Sequence, residues 1–76
     1  MKYQVYFTTS LEALVNEEFV FEADAIEDIL PRLTTLVGKA PYWRWLFQST
    51  GAFIDFGSWS RFLCITNATM EDCFSV

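Results

Sequence analysis

The sequence predicts a single small α+β domain, in which one helix packs on one face of an antiparallel sheet in the order β-β-α-β-β-β. Alternating apolar and polar residues at 2–8 and 18–23 predict two strands, and three short runs of β-favouring residues between 43 and 66 predict three more. One apolar stripe with helical spacing lies between these groups. We assign residues 1–76 to this domain, with an ordered core at 1–66 and a short C-terminal tail at 67–76.

The composition supports a packed core in a chain this short. The 76 residues are 53% apolar and 18% aromatic, and each large aromatic side chain buries about 150–250 Å². This composition excludes intrinsic disorder. No run approaches the roughly 20 apolar residues of a membrane span, and the N-terminus lacks the features of a signal peptide. We therefore expect a cytoplasmic protein that does not bind membranes.

The first two strands are predicted to pair as an antiparallel hairpin. In the first strand Tyr3, Val5 and Phe7 share one side. In the second strand Phe19 and Phe21 share one side, and Glu18, Val20 and Glu22 share the other. Residues 9–16 form either a long loop or one helical turn, and we favour the loop.

The helix is predicted to begin at Asp24 and to end at Gly38. Asp24 with Glu27 three residues later matches a capping box, and Gly38 stands where a left-handed C-cap belongs. The apolar stripe consists of Ile26, Ile29, Leu30, Leu33 and Val37. Pro31 falls inside the helix, so we expect one helix with a kink there.

The last three strands are predicted to form a meander with turns at 48–52 and at Gly57-Ser58. We pair Phe47 with Phe53 across the first turn and Phe56 with Trp59 across the second. This register gives a first face with Trp43, Trp45, Phe47, Phe53, Asp55, Ser60, Phe62 and Cys64. It gives a second face with Tyr42, Arg44, Leu46, Ile54, Phe56, Trp59, Arg61, Leu63 and Ile65.

We expect the helix to cover the first face, where an Asp55–Ser60 hydrogen bond would satisfy the carboxylate. The second face combines Arg44, Phe56, Trp59 and Arg61, which are residue types enriched at interface hot spots. It is therefore a candidate surface for a protein partner or a homodimer. In the alternative interpretation, the two arginines lie over the two aromatic rings as ordinary surface cation–π pairs.

The charge is distributed unevenly along the chain. Seven of the ten acids lie between residues 12 and 28, where there is no base. The candidate partner-binding acids in this block are Glu17, Glu18, Glu22, Glu27 and Asp28. The block is either a solvated face or a surface that imitates nucleic-acid phosphates and docks on a basic protein. Direct nucleic-acid binding is disfavoured by the net charge of −5.

The residue types predict neither an enzyme nor a cofactor or metal site. The chain has no histidine, the commonest general acid or base, and its two cysteines do not make a zinc set. Asp55-Phe56-Gly57 spells the metal-binding tripeptide of protein kinases, but the other kinase motifs are missing.

Trp43-Arg44-Trp45 and the run from Phe53 to Phe62, after an acidic helix, resemble small accessory proteins of bacteriophages and prophages. The likeness extends over about two thirds of the chain. Such proteins include inhibitors of host defence of the anti-CRISPR kind. The resemblance implies a viral protein that binds and blocks a bacterial nuclease or effector complex in the host cytoplasm. The alternative is a homo-oligomeric structural protein without nucleic-acid mimicry.

Overall fold

The computed structural model describes residues 2–74, which form one five-stranded antiparallel sheet and two helices. The elements are β1 (Tyr3–Thr8), β2 (Glu18–Ala23), α1 (Ile26–Val37), β3 (Arg44–Phe47), β4 (Gly51–Asp55), β5 (Phe62–Thr66) and α2 (Met70–Phe74). The strand order is β2-β1-β5-β4-β3. The predicted α+β class and the order of its first six elements are confirmed. The predicted tail, residues 67–76, contains the second helix. Residues 75 and 76 of the tail lie outside the described range.

A β-bulge in β2 changes which side chains share a face with β1. Val5 pairs with Phe21, whereas the next residue, Tyr6, pairs with Phe19. The extra residue is Val20, which packs with Phe21 against the core. Our prediction that Phe19 and Phe21 share a side is therefore wrong, because one inserted residue reverses the alternation beyond it.

The turn between β3 and β4 is one residue tighter than predicted. Gln48 and Gly51 exchange backbone hydrogen bonds of 2.9 and 3.2 Å around a two-residue turn. Phe47 consequently pairs with Ala52 rather than with Phe53. A slip of one residue moves every side chain of a strand to the opposite face. Our sorting of β3 relative to β4 is therefore wrong.

The connection between β4 and β5 is a six-residue loop rather than a two-residue turn. Phe53 pairs with Cys64 instead of Phe62, a shift of two residues that leaves the faces unchanged. Side chains hold this wider loop. The Asp55 carboxylate accepts a hydrogen bond from the Gly57 N–H at 3.1 Å, and the Ser58 hydroxyl accepts one from the Arg61 N–H at 3.4 Å.

We name as the core face the side of the sheet that α1 covers. Ile29 and Leu33 of α1 are buried there. The sheet residues in the same cluster are Tyr3, Val5, Phe7, Ala52, Ile54, Leu63 and Ile65, with Trp45 and Phe47 packed beside them. The predicted apolar stripe of the helix is confirmed. The prediction that the helix covers the face of Phe53 and Cys64 is wrong, and the cause is the one-residue slip of β3.

Both ends of α1 differ from the predicted caps. The N-cap is Ala25, and no side chain caps the helix, so the Asp24–Glu27 capping box is wrong. The helix begins too late for Asp24 to reach its first free N–H groups. Gly38 ends the helix at the predicted position with a positive φ of +71°, but its ψ of −148° lies outside the left-handed helical region. Its N–H donates to the Thr34 carbonyl at 2.9 Å. Pro31 lies within one continuous helix; the kink stays a prediction.

The short helix α2 covers the β3 end of the core face. Thr69 and Asp72 exchange side chain-to-backbone hydrogen bonds of 3.1 and 3.2 Å, which cap the helix. The Thr69 N–H also lowers the pKa of the Asp72 carboxyl. Phe74 packs edge-on against Trp45 and Phe47 at centroid distances of 5.3 and 5.8 Å.

Residues 9–17 form a loop, as we favoured, and it crosses the face opposite the core face. Thr8 anchors one end, where its hydroxyl accepts the Val15 N–H at 2.9 Å. Gln48 holds the middle by donating to the Leu11 carbonyl at 3.2 Å. Because β5 and β4 lie between these two anchors, the loop passes over them. Phe53 and Cys64 on this face are fully buried.

Candidate protein-binding surfaces

Six exposed carboxylates line one border of the molecule. We name this surface the acidic edge: Glu17, Glu18, Glu22, Asp24, Glu27 and Asp28. It follows the outermost strand β2 and continues into the first turn of α1. Glu18 and Glu22 pair with Phe7 and Gln4, which are three residues apart on β1, so the two glutamates lie about 10 Å apart along the edge. All five acids that the sequence nominated therefore lie along one edge.

Little of this charge is neutralised by neighbouring bases. Within residues 2–74, one ion pair reaches the edge, between Glu18 Oε1 and Arg61 Nη1 at 3.9 Å. Both side chains are exposed, so the pair contributes little stability. Arg32 lies nearby, but its guanidinium stacks over the Phe21 ring at 3.8 Å. The positive end of the α1 dipole favours Glu27 and Asp28 in the first helical turn.

An aromatic side chain stands within the acidic edge. Phe19 is 53% exposed and packs edge-on against Tyr6 at 5.6 Å between ring centroids. The bulge at Val20 is what turns Phe19 away from the core face. Sequence reasoning missed Phe19 as a surface residue, because the alternating pattern assigned it to the same side as Phe21.

The second predicted surface does not exist as one face. Trp59 is fully exposed in the β4–β5 loop, whereas Phe56 is half-buried between Phe7 and Trp43. Arg61 lies over the Phe7 ring at 4.0 Å, on the opposite side of the sheet from Arg44 at the β3 edge. Phe56 and Arg61 thus meet at the Phe7 ring, whereas Trp59 and Arg44 lie apart from them. The predicted cation–π pairing of the arginines with Phe56 and Trp59 is wrong, because Arg61 lies over Phe7 instead.

Asp55 is satisfied by other partners than predicted. Its Oδ2 pairs with Arg44 Nη2 at 3.6 Å and accepts a hydrogen bond from the Tyr42 hydroxyl at 3.5 Å. The predicted Asp55–Ser60 hydrogen bond is wrong, because the wide loop removes Ser60 from the strand pairing. Asp55 and Arg44 therefore form a cross-strand pair at the β3 edge.

Two shallow grooves flank α1. One of about 220 Å³ lies against β2 and is lined by Val20, Phe21, Arg32, Thr35 and Leu36. The other, of about 250 Å³, faces β3 and is lined by Leu30, Leu33, Thr34, Trp43 and Trp45. The second groove adjoins the aromatic group of Trp45, Phe47 and Phe74, and Phe74 remains 53% exposed.

The two cysteines are free thiols in different surroundings. Burial raises the pKa of Cys64 to about 12. Burial and the nearby Asp72 carboxylate raise the pKa of Cys73, which is half-buried on α2. No group of three or more His, Cys, Asp or Glu side chains in residues 2–74 is arranged to hold a metal ion.

Comparison of the chain with protein-family models, curated proteins and solved structures finds no match. Within the described range, neither helix has the length and apolar character needed to cross a membrane.

Proposed function

We propose that this protein is a non-enzymatic binding module whose acidic edge docks on the basic nucleic-acid channel of another protein. The observation that carries the proposal is the line of six exposed carboxylates, opposed within residues 2–74 by one weak ion pair. A basic channel attracts such a surface over long range, which speeds association and makes affinity depend on salt.

The partner would be a bacterial nuclease or effector complex, and the module would act by excluding its nucleic acid. This assignment follows the resemblance to phage accessory proteins, for which a host-defence inhibitor acting in the bacterial cytoplasm is the implied role. Phe19 strengthens the case for a protein partner, because it is an exposed aromatic side chain and aromatic residues are enriched at protein interfaces. A surface that acted only by imitating nucleic-acid phosphates would need no such side chain.

The test compares two variants that remove equal charge from different places. Glu18→Gln with Glu22→Gln neutralises the acidic edge, and Glu12→Gln with Glu71→Gln is the matched control at other exposed acids. Each protein is immobilised and exposed to bacterial lysate. Retained nucleic-acid-binding proteins are then eluted with a DNA duplex or with rising salt. The purified main target is used to measure affinity.

We expect the edge variant to bind its target about tenfold more weakly, which corresponds to about 1.4 kcal/mol. The control should bind within twofold of the wild type, and the DNA duplex should displace the target from the wild-type protein. Equal affinity of the two variants, or a complex that tolerates high salt and excess DNA, would refute the proposal.

A further inference from the structure

The two edges of the sheet differ in how well they are protected against pairing with another strand. The edge strand β2 carries a bulge and two glutamates, both of which discourage further pairing. The opposite edge strand, β3, has the sequence Arg44-Trp45-Leu46-Phe47, with regular pairing to β4 and neither proline nor acid. β3 is short and begins with the charged Arg44, but Trp45, Leu46 and Phe47 present a regular apolar edge, and such an edge can template strand addition.

The direction of the backbone groups of β3 follows from the turn that ends it. Gln48 and Gly51 form a hydrogen-bonded pair, and such pairs alternate along an antiparallel ladder. Leu46 and Arg44 therefore direct their N–H and C=O groups toward β4, whereas Trp45 and Phe47 direct theirs outward. Within residues 2–74, no hydrogen bond from outside the β3–β4 ladder reaches these outward groups.

We propose that β3 pairs antiparallel with β3 of a second copy of this chain, with Leu46 on the twofold axis. Trp45 then lies opposite Phe47 of the second copy, and two such pairs give four backbone hydrogen bonds. Arg44 lies opposite Gln48, so no like charges face each other. The sheets join into one of ten strands.

The aromatic group beside β3 favours a second copy as the occupant. Trp45 and Phe47 stack at 6.1 Å on the core face, and Phe74 covers them while staying half exposed. A twofold axis at Leu46 brings the two aromatic groups side by side on the same face, so each covers the exposed ring of the other. Exposed Met70 on α2 extends this apolar surface.

Other pairings between copies are less favourable. The bulge at Val20 interrupts the alternation of β2 and sets Glu18 and Glu22 on opposite faces, so β2 does not offer a regular ladder to its own copy. Pairing of β2 with β3 is heterologous and leaves a free edge at each end, which leads to an open polymer rather than a closed dimer. Of these three pairings, that of β3 with its own copy combines a closed dimer with a regular ladder.

The test introduces charged side chains at Leu46, on the proposed twofold axis. Leu46→Glu and Leu46→Lys each place two like charges in direct opposition, whereas an equimolar mixture places opposite charges there. Analytical ultracentrifugation should give twice the 8.8 kDa chain mass for the wild type. Each variant alone should dissociate at least about tenfold more readily, and the mixture should recover the dimer. Recovery in the mixture also shows that the variants fold.

Cross-linking tests the register itself. Opposed Leu46 residues form a non-hydrogen-bonded pair with Cα atoms about 4.5 Å apart, which is within disulfide range. Leu46→Cys in a Cys73→Ser background should form a disulfide dimer under mild oxidation, and Ser60→Cys in the same background should not. A monomeric wild type, a mixture that stays monomeric, or equal cross-linking at both positions would overturn the proposal.

Discussion

Replacing Thr8 with valine tests whether one hydroxyl holds the loop that covers the second face of the sheet. Thr8 is 1% exposed, and its Oγ1 accepts the N–H groups of Val15 at 2.9 Å and Ser10 at 3.4 Å. It donates to the Ala13 carbonyl at 3.1 Å. Valine keeps the shape but leaves the Val15 N–H without this acceptor. Such a loss destabilises a protein by about 1–3 kcal/mol.

This loss is large for a domain of this size, whose total stability is about 4–11 kcal/mol at typical values per residue. A destabilisation of about 2 kcal/mol lowers the melting temperature by about 8–16 °C. Urea unfolding followed by tryptophan fluorescence gives the free energy. Hydrogen exchange should show a specific acceleration at the Val15 amide, since that group loses its partner.

Two controls separate the hydrogen bonds from the change of side chain. Thr8→Ser keeps the hydroxyl and removes one methyl group, so it should lose about 0.8 kcal/mol. Thr35→Val makes the same change at an exposed helical position and should stay within about 0.5 kcal/mol of the wild type. If Thr8→Val unfolds at the same urea concentration as Thr35→Val, with unchanged exchange at Val15, the loop does not depend on Thr8.

Two further predictions concern the sheet interior. Gly51→Ala should destabilise the protein by more than about 2 kcal/mol, because a Cβ there would lie 2.2 Å from the Ile65 carbonyl oxygen. A urea midpoint shift equivalent to less than about 0.5 kcal/mol would contradict this. Because the pKa of Cys64 is raised in the folded protein, the unfolded chain loses the thiol proton first as pH rises. The contribution of this thiol to the free energy of unfolding is therefore intact below pH 9.0 and is lost as pH rises toward about 12. In that window wild-type stability should fall by about 1.4 kcal/mol per pH unit more than that of Cys64→Ala, and parallel pH profiles would count against it.

The first six elements were predictable because each has a local signature. The residues assigned to the second strand, 18–23, coincide with β2, and the stripe through Ile29 and Leu33 identified the buried side of α1. The register between strands was not predictable, because it depends on the exact length and hydrogen bonding of each turn. Backbone hydrogen bonds between Gln48 and Gly51 close the first turn of the meander. The Asp55 carboxylate and the Ser58 hydroxyl widen the second turn, and nothing in the alternating pattern signals this.

Of the two candidate surfaces, one was predictable from the sequence and the other was not. An acidic side chain on an edge strand is exposed whichever face of the sheet it occupies, so its predicted exposure does not depend on the register. The acidic edge was therefore predictable. An apolar face depends on register at every residue. The one-residue slip at Gln48–Gly51 placed Trp45 and Phe47 beside Ile54 and Ala52 instead of Phe53. The wide β4–β5 loop removed Phe56 and Trp59 from the strand pairing, and the predicted second face was lost with them. A T-x-x-D pattern at Thr69–Asp72 did signal α2, and it was overlooked.

The proposed dimer would change how the acidic edge works. Joining two sheets through β3 leaves β2 outermost at both ends of a ten-stranded sheet. Nine strand spacings separate these ends by about 43 Å, so the two acidic edges would face away from each other. One dimer could then hold two target proteins but could not present both edges to one channel. The two proposals share no residue, since Glu18 and Glu22 lie on β2 and Leu46 lies on β3. Loss of either surface by mutation therefore leaves the other intact for measurement.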